Sequence, residues 1–494
     1  MLRALLLFRY RFDSDEQQHL HVAWGWAAGG VQYRDFFDNH HPLFHLLTAP
    51  LLALVGERST VLLWMRLPML VLFGVVVWGT YVLGRRLYDE RVGLWAAVLL
   101  SLFPPFFLKS LEYRNDNLWN ALWVLALVVL ASGPLTKRRM FLAGLLLGGA
   151  FAASVKAAMM LIALAGAAVL TFRRRSEVHF ALLGFMIVPA ALVILFASLG
   201  AWDELVYCTW TFNTNFAGIR KHLWIGRAIF PFALAALLYV AWRFRETQNR
   251  LRYFFAVMMG IYIVTLCCLW ILISPRDFLP MMPLAAIFTA ASIRSIRSYA
   301  FLLIVFIGSL WYYGDRFENK TDWHTTMLDQ ALRLSHPGEM VMDIKGETIF
   351  RPRPSYHVFE IVTRAQMAKG LIRDTVAEDV IRTRTHVAQA DGPMWPPRAR
   401  AFLSANFLDM GRLRASGQWL RDDGTFTIAV SGEFMLVNVR GEARGTLDGT
   451  PYTGPRTLAA GAHRFVGRRE QTAVVWAPAV RRGHSPFRLR DREF

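Results

Sequence analysis

Nine acidic or histidine side chains fall within 29 residues near the amino end: Asp13, Asp15, Glu16, His19, His21, Asp35, Asp38, His40 and His41. They are interleaved with Trp24, Trp26, Tyr33, Phe36 and Phe37. Carboxylates set among aromatic rings suit a site that holds a sugar and keeps a base ready. The same composition also describes a solvated loop with an aromatic belt. The five histidines between His19 and His45 invite a metal reading, but no HExxH or paired-ligand spacing is present, and the metal stays unassigned. A second cluster joins Lys109, Glu112, Arg114 and Asp116, either as a functional group of charges or as snorkelling side chains at helix ends. Lys156, an isolated amine in an apolar stretch, either binds a phosphate or anchors two short helices. Arg276 and Asp277, within Ser274-Pro275-Arg276-Asp277-Phe278, form the fourth polar group.

The elements that must position these groups are apolar. Of 494 residues, 55% are hydrophobic and 18% charged, against about a quarter charged in a soluble chain. Mean hydropathy is +0.32. From Val61 to Tyr313 the chain is a succession of apolar runs separated by short basic clusters, which points to an integral membrane protein and excludes an ordinary cytosolic enzyme, a nuclear factor or a disordered chain. The net charge of +19 lies mostly in the connections between apolar runs, where the positive-inside effect accounts for it, so no nucleic-acid partner is needed. Three cysteines, Cys208, Cys267 and Cys268, imply neither a disulfide framework nor a zinc ribbon.

Spans are expected at Val61–Leu83, Val92–Leu108, Leu118–Ala131, two within Met140–Phe172, then Val178–Leu199, Ala228–Trp242, Tyr253–Ile273, Phe278–Ile293 and Tyr299–Tyr313, ten in all. The Met140–Phe172 block would be about 50 Å long as one helix, too long for one crossing, and is divided at Ser154 to Lys156. Alternate connections carry Arg85, Arg86 and Arg91; Lys137 to Arg139; Arg173 to Arg175; Arg243, Arg245, Arg250 and Arg252; and Arg294 with Arg297. These place that side in the cytoplasm and Arg9 to Thr60 on the opposite, extracytoplasmic face of an inner membrane. Met1 to Phe8, with Arg3 among them, is too short for a span and lacks a secretory cleavage pattern; it reads as a first span cut short by a late start.

Two domains follow from this reading: a transmembrane part, 1–314, with its first extracytoplasmic loop at 9–60, and an extracytoplasmic tail, 315–494. Candidate helices lie near Thr325–Leu334 and Thr375–Ile381. Phe426, Ile428 and Val430, then Met435, Val437 and Val439, are apolar at every second position, although Phe434 and Leu436 make the second stretch apolar on both faces. Thr472–Trp476 is a further strand and Asp448-Gly449 a turn. The fold class expected is an α-helical polytopic membrane protein with about 10 to 11 spans and a C-terminal α+β or β-sandwich domain. The tail carries no motif from which chemistry can be read.

The polar groups also carry a resemblance. Asp15-Glu16 followed by Tyr33-Arg34-Asp35-Phe36-Phe37-Asp38-Asn39-His40-His41-Pro42-Leu43 resembles the first luminal loop of the GT-C superfamily of glycosyltransferases. The branch it is most similar to contains bacterial relatives of protein O-mannosyltransferases and lipid A aminoarabinose transferases. Glu112-Tyr113-Arg114-Asn115-Asp116 resembles the second acidic motif, Ser154-Val155-Lys156 the T-K segment, and Arg276-Asp277-Phe278-Leu279-Pro280 with Pro283 the R-Y-x-L-P-x-x-P segment. The four motifs occur in the family's order between residues 13 and 313.

The resemblance implies inverting transfer of a sugar from a polyprenyl-phosphate donor to a hydroxyl of a glycan, lipid or protein acceptor, among membrane lipids. It implies Asp15 as base with Glu16 as a second candidate. Lys156, Arg276 and Arg114 would face the donor phosphate, and Tyr33, Asp38, His40, His41 and Glu112 would hold the sugar or acceptor. Asp116, with Glu112, would orient the acceptor or hold a divalent cation, though the sequence requires no cofactor. His41 stands where the family has the first proline of a His-Pro-Pro pattern, a departure that bears on acceptor or sugar preference. Two other readings compete. A ligase or polymerase using polyprenyl-linked oligosaccharides would need arginines in a large loop, for which Gly200–Arg227, with Arg220, Lys221 and Arg227, is short. A transporter would carry charges or helix breaks at mid-span, whereas these charges gather at one set of helix ends.

Overall fold

The computed structural model describes residues 2–171, 177–215, 249–270, 273–390, 392–467 and 470–487, with scattered positions between 228 and 239. The span expected at Ala228–Trp242 and the basic residues Arg173–Arg175, Arg220, Lys221, Arg227, Arg243 and Arg245 lie largely or wholly outside the described residues.

Three helices open the chain: α1 (Leu2–Arg9), α2 (Ser14–Ala27) and α3 (Leu43–Val55). Asp13 caps α2, accepting from Asp15 N, while Glu16 closes the capping box by accepting from Asp13 N at 2.9 Å. α3 was not expected. Eleven of its thirteen residues are apolar, all but His45 and Thr48, and Leu47 and Leu54 are exposed, so the segment from Arg9 to Thr60 is not a polar loop throughout.

The apolar runs form helices close to their expected positions. Among the described residues four are long and apolar enough to cross a membrane: Val61–Leu87, Val178–Ser198, Arg250–Leu269 and Ile296–Tyr313. Shorter ones occupy Asn115–Ala131, Ala157–Thr171 and Met282–Ser292. The run expected at Val92–Leu108 is instead two helices, Glu90–Leu102 and Pro104–Lys109, because Phe103 precedes a proline and takes an extended conformation. The long block breaks between Ala153 and Ala157, with Ser154 extended (φ −157°, ψ 132°), which leaves Lys156 at the junction.

Helices Lys137–Ala153 and Val178–Ser198 cross with their backbones nearly touching. A Cβ on Gly144 would sit 2.0 Å from Ala181 O, and one on Gly148 2.2 Å from Phe185 O, so the four-residue glycine spacing permits a contact no larger residue allows.

The two ends of the bundle differ in charge. At one end Arg91 donates to Arg294 O at 3.1 Å and Arg252 to Leu87 O at 2.6 Å, bringing three of the expected basic connections together. Helices Glu90–Leu102 and Met282–Ser292 run from there to the other end, where the Lys109, Glu112, Arg114 and Arg276 cluster lies.

After a 3-10 turn at Asp315–Phe317 the tail forms helix Asp322–Leu334 and, among the described residues, twelve short strands. One sheet has the order β1 (Val341–Met342), β2 (Val387–Gln389), β4 (Leu413–Trp419), β12 (Thr472–Trp476), β6 (Gly432–Asn438), β10 (Arg456–Leu458). In it β3 (Phe407–Asp409) pairs with β4 and β7 (Gly441–Glu442) with β6. The second sheet runs β5 (Thr425–Ile428), β11 (Gly461–Gly467), β8 (Gly445–Leu447), β9 (Thr450–Tyr452). Asp448 and Gly449 make the β8–β9 turn with φ of 49° and 79°. The alternation expected in β6 is corrected: Phe434 and Leu436 are buried with Val437, while Val439 lies beyond the strand and is exposed.

Phe12, Leu20, Phe44 and Leu52 of the first segment share one apolar core with Met327, Leu328, Ile349 and Phe350 of the tail. The tail is therefore packed onto the elements that carry the acidic loop.

Candidate functional site

At the cluster end of the bundle a cavity of about 530 Å³ is lined by Asp13, Asp15, His40, His41, Arg114, Ser154, Lys156, Trp270, Arg276, Lys345 and Glu360, among others. Beside the tail's Lys345 and Glu360, its charged walls come from four places spread over about 260 residues of sequence. α2 supplies Asp13, its cap, and Asp15. The turn before helix Asn115–Ala131 supplies Arg114, the break after Ala153 supplies Lys156, and a short 3-10 turn, Pro275–Phe278, supplies Arg276.

The ion pairs interlock. Arg114 reaches Asp13 at 3.2 Å, Asp116 at 3.0 Å and, closer still, Asp15. Arg276 pairs with Glu112 at 2.9 Å and with Asp13. Lys156 lies 2.8 Å from Asp277 and 3.4 Å from Asp116, with its ammonium 5.6 Å from the centre of the Trp270 ring. Burial alone would raise the Asp15 pKa, but Arg114 and Lys345 hold it well below the usual carboxylate range. Asp13 is also lowered: burial and Asp15 push it up, and Arg114 and Arg276 outweigh them. Burial works against the Lys156 charge, yet Asp116 and Asp277 raise its pKa, so the ammonium stays protonated.

Adjacent helix positions separate Asp15 from Glu16. Asp15 faces the cavity, whereas Glu16 is fully buried and clasped by Arg66, at 2.7 Å to Nε and 2.6 Å to Nη2, and it also accepts from Tyr113 N at 2.8 Å. The second-base expectation for Glu16 is corrected accordingly: both its oxygens are occupied behind the cavity wall. Glu112 and Asp116 are buried too and lie behind the wall, holding Lys109, Arg276, Arg114 and Lys156 rather than an acceptor.

The first-loop motif divides the same way. His40 and His41 line the cavity; Tyr33 and Asp38 do not. Asp38 is buried and accepts from His40 at 2.8 Å and Gln32 at 2.7 Å, and its charge raises the His40 pKa despite burial. Tyr33, buried with φ +76°, donates its hydroxyl to His40 O at 2.6 Å. Contact roles for Tyr33 and Asp38 are thus replaced by roles in orienting His40. His41 donates from Nδ1 to Phe151 O at 2.6 Å, tying the loop to the end of helix Lys137–Ala153 where a proline could not. Among the described residues no three histidine, cysteine or acidic side chains converge to hold a metal ion.

The tail's part of the site is not readable from the sequence. Asp343 accepts from Gly346 N, Thr348 N and Thr348 Oγ1 at 2.7 to 2.9 Å and pairs with Arg353 at 2.8 Å, which folds the chain into a tight loop. That loop lies on α2: His21 Nδ1 bonds Ile349 O at 2.9 Å. Gly346, at φ +90°, leaves no room for a Cβ against the His21 ring. Lys345 is thereby carried to Asp15, and Glu360 reaches Asn39 at 2.9 Å. The only sequence signal is the run Asp343-Ile344-Lys345-Gly346-Glu347, a charged turn like many others.

Comparison with known proteins agrees with the loop motifs. The sequence pattern of the dolichyl-phosphate-mannose-protein mannosyltransferase family matches residues 39–202. No curated protein matches the chain by sequence. By fold the chain is similar to the crystal structure of ArnT from Cupriavidus metallidurans bound to undecaprenyl phosphate, with a TM-score of 0.55 at 13% identity, covering 84% of this chain and 96% of that one. The apo form of the same protein gives 0.54 at 14%, with the same coverage. The oligosaccharyltransferase of Archaeoglobus fulgidus aligns at 14% identity over 89% of this chain and 72% of that one, with a TM-score of 0.44. The resemblance to the GT-C glycosyltransferases therefore extends from the motifs to the fold: an ArnT-like bundle of apolar helices with a β-rich C-terminal part.

Proposed function

We infer that this chain transfers a sugar from a polyprenyl-phosphate carrier to a hydroxyl of an envelope glycan, lipid or protein, with inversion, at the outer face of the inner membrane. The observation that carries this reading is the convergence of Arg114, Lys156 and Arg276 on one cavity at the end of an apolar bundle. A lipid-linked phosphate needs its head at the membrane surface and its chain between helices, and the break at Ser154 to Lys156 offers that place. The family match and the undecaprenyl phosphate bound to the similar ArnT support the same donor class. The basic connections gathered at the opposite end of the bundle support the sidedness.

In this reaction the sugar's bond to the carrier phosphate breaks as the acceptor oxygen attacks. The carrier phosphate gains negative charge, and fixed cations in a water-poor site are the largest electrostatic aid to that change. Lys156 and Arg276 meet it, while the buried carboxylates of Asp116, Asp277 and Glu112 keep those cations charged and aimed.

The test is sugar transfer in membranes carrying the chain, using labelled undecaprenyl-phosphate pentoses and hexoses as donors, with Asp15→Asn and Asp116→Asn beside the parent. Transfer by the parent and its loss in both variants is the expected outcome. No transfer from any donor, or full activity in both variants, removes the assignment.

A further inference from the structure

The tail gives the cavity one carboxylate that no cation holds. Glu360 lines the cavity beside Ile361 and Val362. Among the described residues its carboxylate accepts a single hydrogen bond, from Asn39 Nδ2 at 2.9 Å, and makes no ion pair within 4 Å. Asp15, by contrast, is paired with both Arg114 and Lys345, and Asp13 with both Arg114 and Arg276. A carboxylate shared between two cations has little basicity left for a substrate proton. A general base acts best when its pKa approaches the working pH.

The surroundings of Glu360 move it in that direction. Burial raises its pKa; Lys345 and His40 oppose the rise, and Asp15 and Asp38 add to it, with a raised value as the net result. Its neighbour in the wall, His40, is in turn held by Asp38.

The geometry points to Glu360 as the general base that takes the proton of the acceptor hydroxyl, and to Asp15 as a positioning residue that keeps Arg114 and Lys345 at the cavity. This assignment rests on the transfer reaction inferred above. The acceptor oxygen forms its bond to the anomeric carbon, and its proton passes to the Glu360 carboxylate. The bond from the anomeric carbon to the carrier phosphate breaks, with the electron pair leaving on the phosphate oxygen beside Lys156 and Arg276. The tail would then supply a reacting group as well as a cover, and the loop from Asp343 to Glu360 would set which hydroxyl can approach.

The experiment compares the parent, Glu360→Gln and Glu360→Asp in nanodiscs, using the donor that the parent accepts and, separately, undecaprenyl phosphate as a binding probe. Glu360→Gln is expected to lower kcat by about 10²- to 10⁴-fold and to leave the Kd for undecaprenyl phosphate within about twofold. The parent's kcat/KM should fall on the acid side through a limb above the ordinary glutamate pKa of about 4.3. The limb follows because the base acts as carboxylate, so activity is present above the raised pKa and lost below it. Glu360→Gln should lack that limb, and Glu360→Asp should recover part of the rate.

An active parent whose Glu360→Gln variant keeps kcat within about threefold, or keeps the acid limb, overturns the base assignment alone. A parent that transfers no sugar overturns the underlying reaction and the assignment with it. If Glu360→Gln fails to bind undecaprenyl phosphate, Asn39→Ala decides. Loss of its hydrogen bond to the carboxylate should move the acid limb to higher pH, and an unmoved limb overturns the assignment.

Discussion

Replacing Lys156 by methionine removes one positive charge from the cavity while keeping a side chain of similar length. The fold should tolerate it. Asp277 retains its bonds from Ser274 N at 2.6 Å and Ser274 Oγ at 3.0 Å, and Asp116 retains Arg114 at 3.0 Å and Trp119 Nε1 at 3.4 Å. The catalytic cost follows from charge development. The donor phosphate carries one negative charge when bound and about one more as it departs, and a unit charge 4 Å from a fixed cation is worth about 4 kcal/mol at an effective dielectric of 20. Allowing for partial bond cleavage, about 3 kcal/mol of transition-state stabilisation is lost, or about 10²-fold in rate. The loss should fall on kcat more than on KM, since the extra charge appears only as the bond breaks. Undecaprenyl phosphate, the released product, should bind more weakly as well. Single-turnover kinetics with the labelled donor and a binding isotherm for the free carrier measure both. A Lys156→Met enzyme with the parent's single-turnover rate and the parent's affinity for the carrier would refute the idea that this amine faces the phosphate.

Three further outcomes follow from the same ion-pair network. Asp13 competes with an incoming phosphate for Arg114 and Arg276, so Asp13→Asn should tighten undecaprenyl phosphate binding by about 3- to 10-fold. The α2 cap survives because asparagine caps as well as aspartate. Weaker binding in a folded Asp13→Asn protein would show that the carboxylate helps the phosphate site instead. Arg66→Met strands Glu16 as a buried charge and should destabilise the protein by about 3 to 5 kcal/mol, read as a lower thermal midpoint in detergent. Glu16→Gln on that background should restore part of the loss, and an unchanged midpoint in the single variant would contradict the buried pair. On pH, transfer should fail on the acid side at a pH set by the raised Glu360 carboxyl, well before Asp15 and Asp13 protonate, because their cations hold both below the ordinary range. An acid limb at or below the ordinary aspartate pKa of about 3.9 would assign the titration to α2.

The membrane class, most helix positions and three of the cavity's cations, Arg114, Lys156 and Arg276, were legible along the chain because each depends on local chemistry. Apolar runs cannot stay in water, so their lengths announced helices. Lys156 was visible because a lone charge inside an apolar block must sit at a break, and Ser154 to Lys156 is that break. In the tail, Thr472–Trp476 and Asp448-Gly449 showed themselves as a strand-like run and by turn chemistry.

What the chain could not disclose is which neighbour each polar group would meet. Asp15 and Glu16 are equivalent as letters, yet a rotation of one helical position sends one to the cavity and the other to Arg66, fifty residues away. Glu112 and Asp116 read as groups for a substrate and are instead the buried anions that hold its cations. Lys345 and Glu360 have no motif, because their place depends on the tail's core merging with that of α2 and α3. Local pattern fixes what must leave water. Contacts across three hundred residues arise only when those surfaces are packed together, and the packing, not the pattern, selects which charges face the cavity.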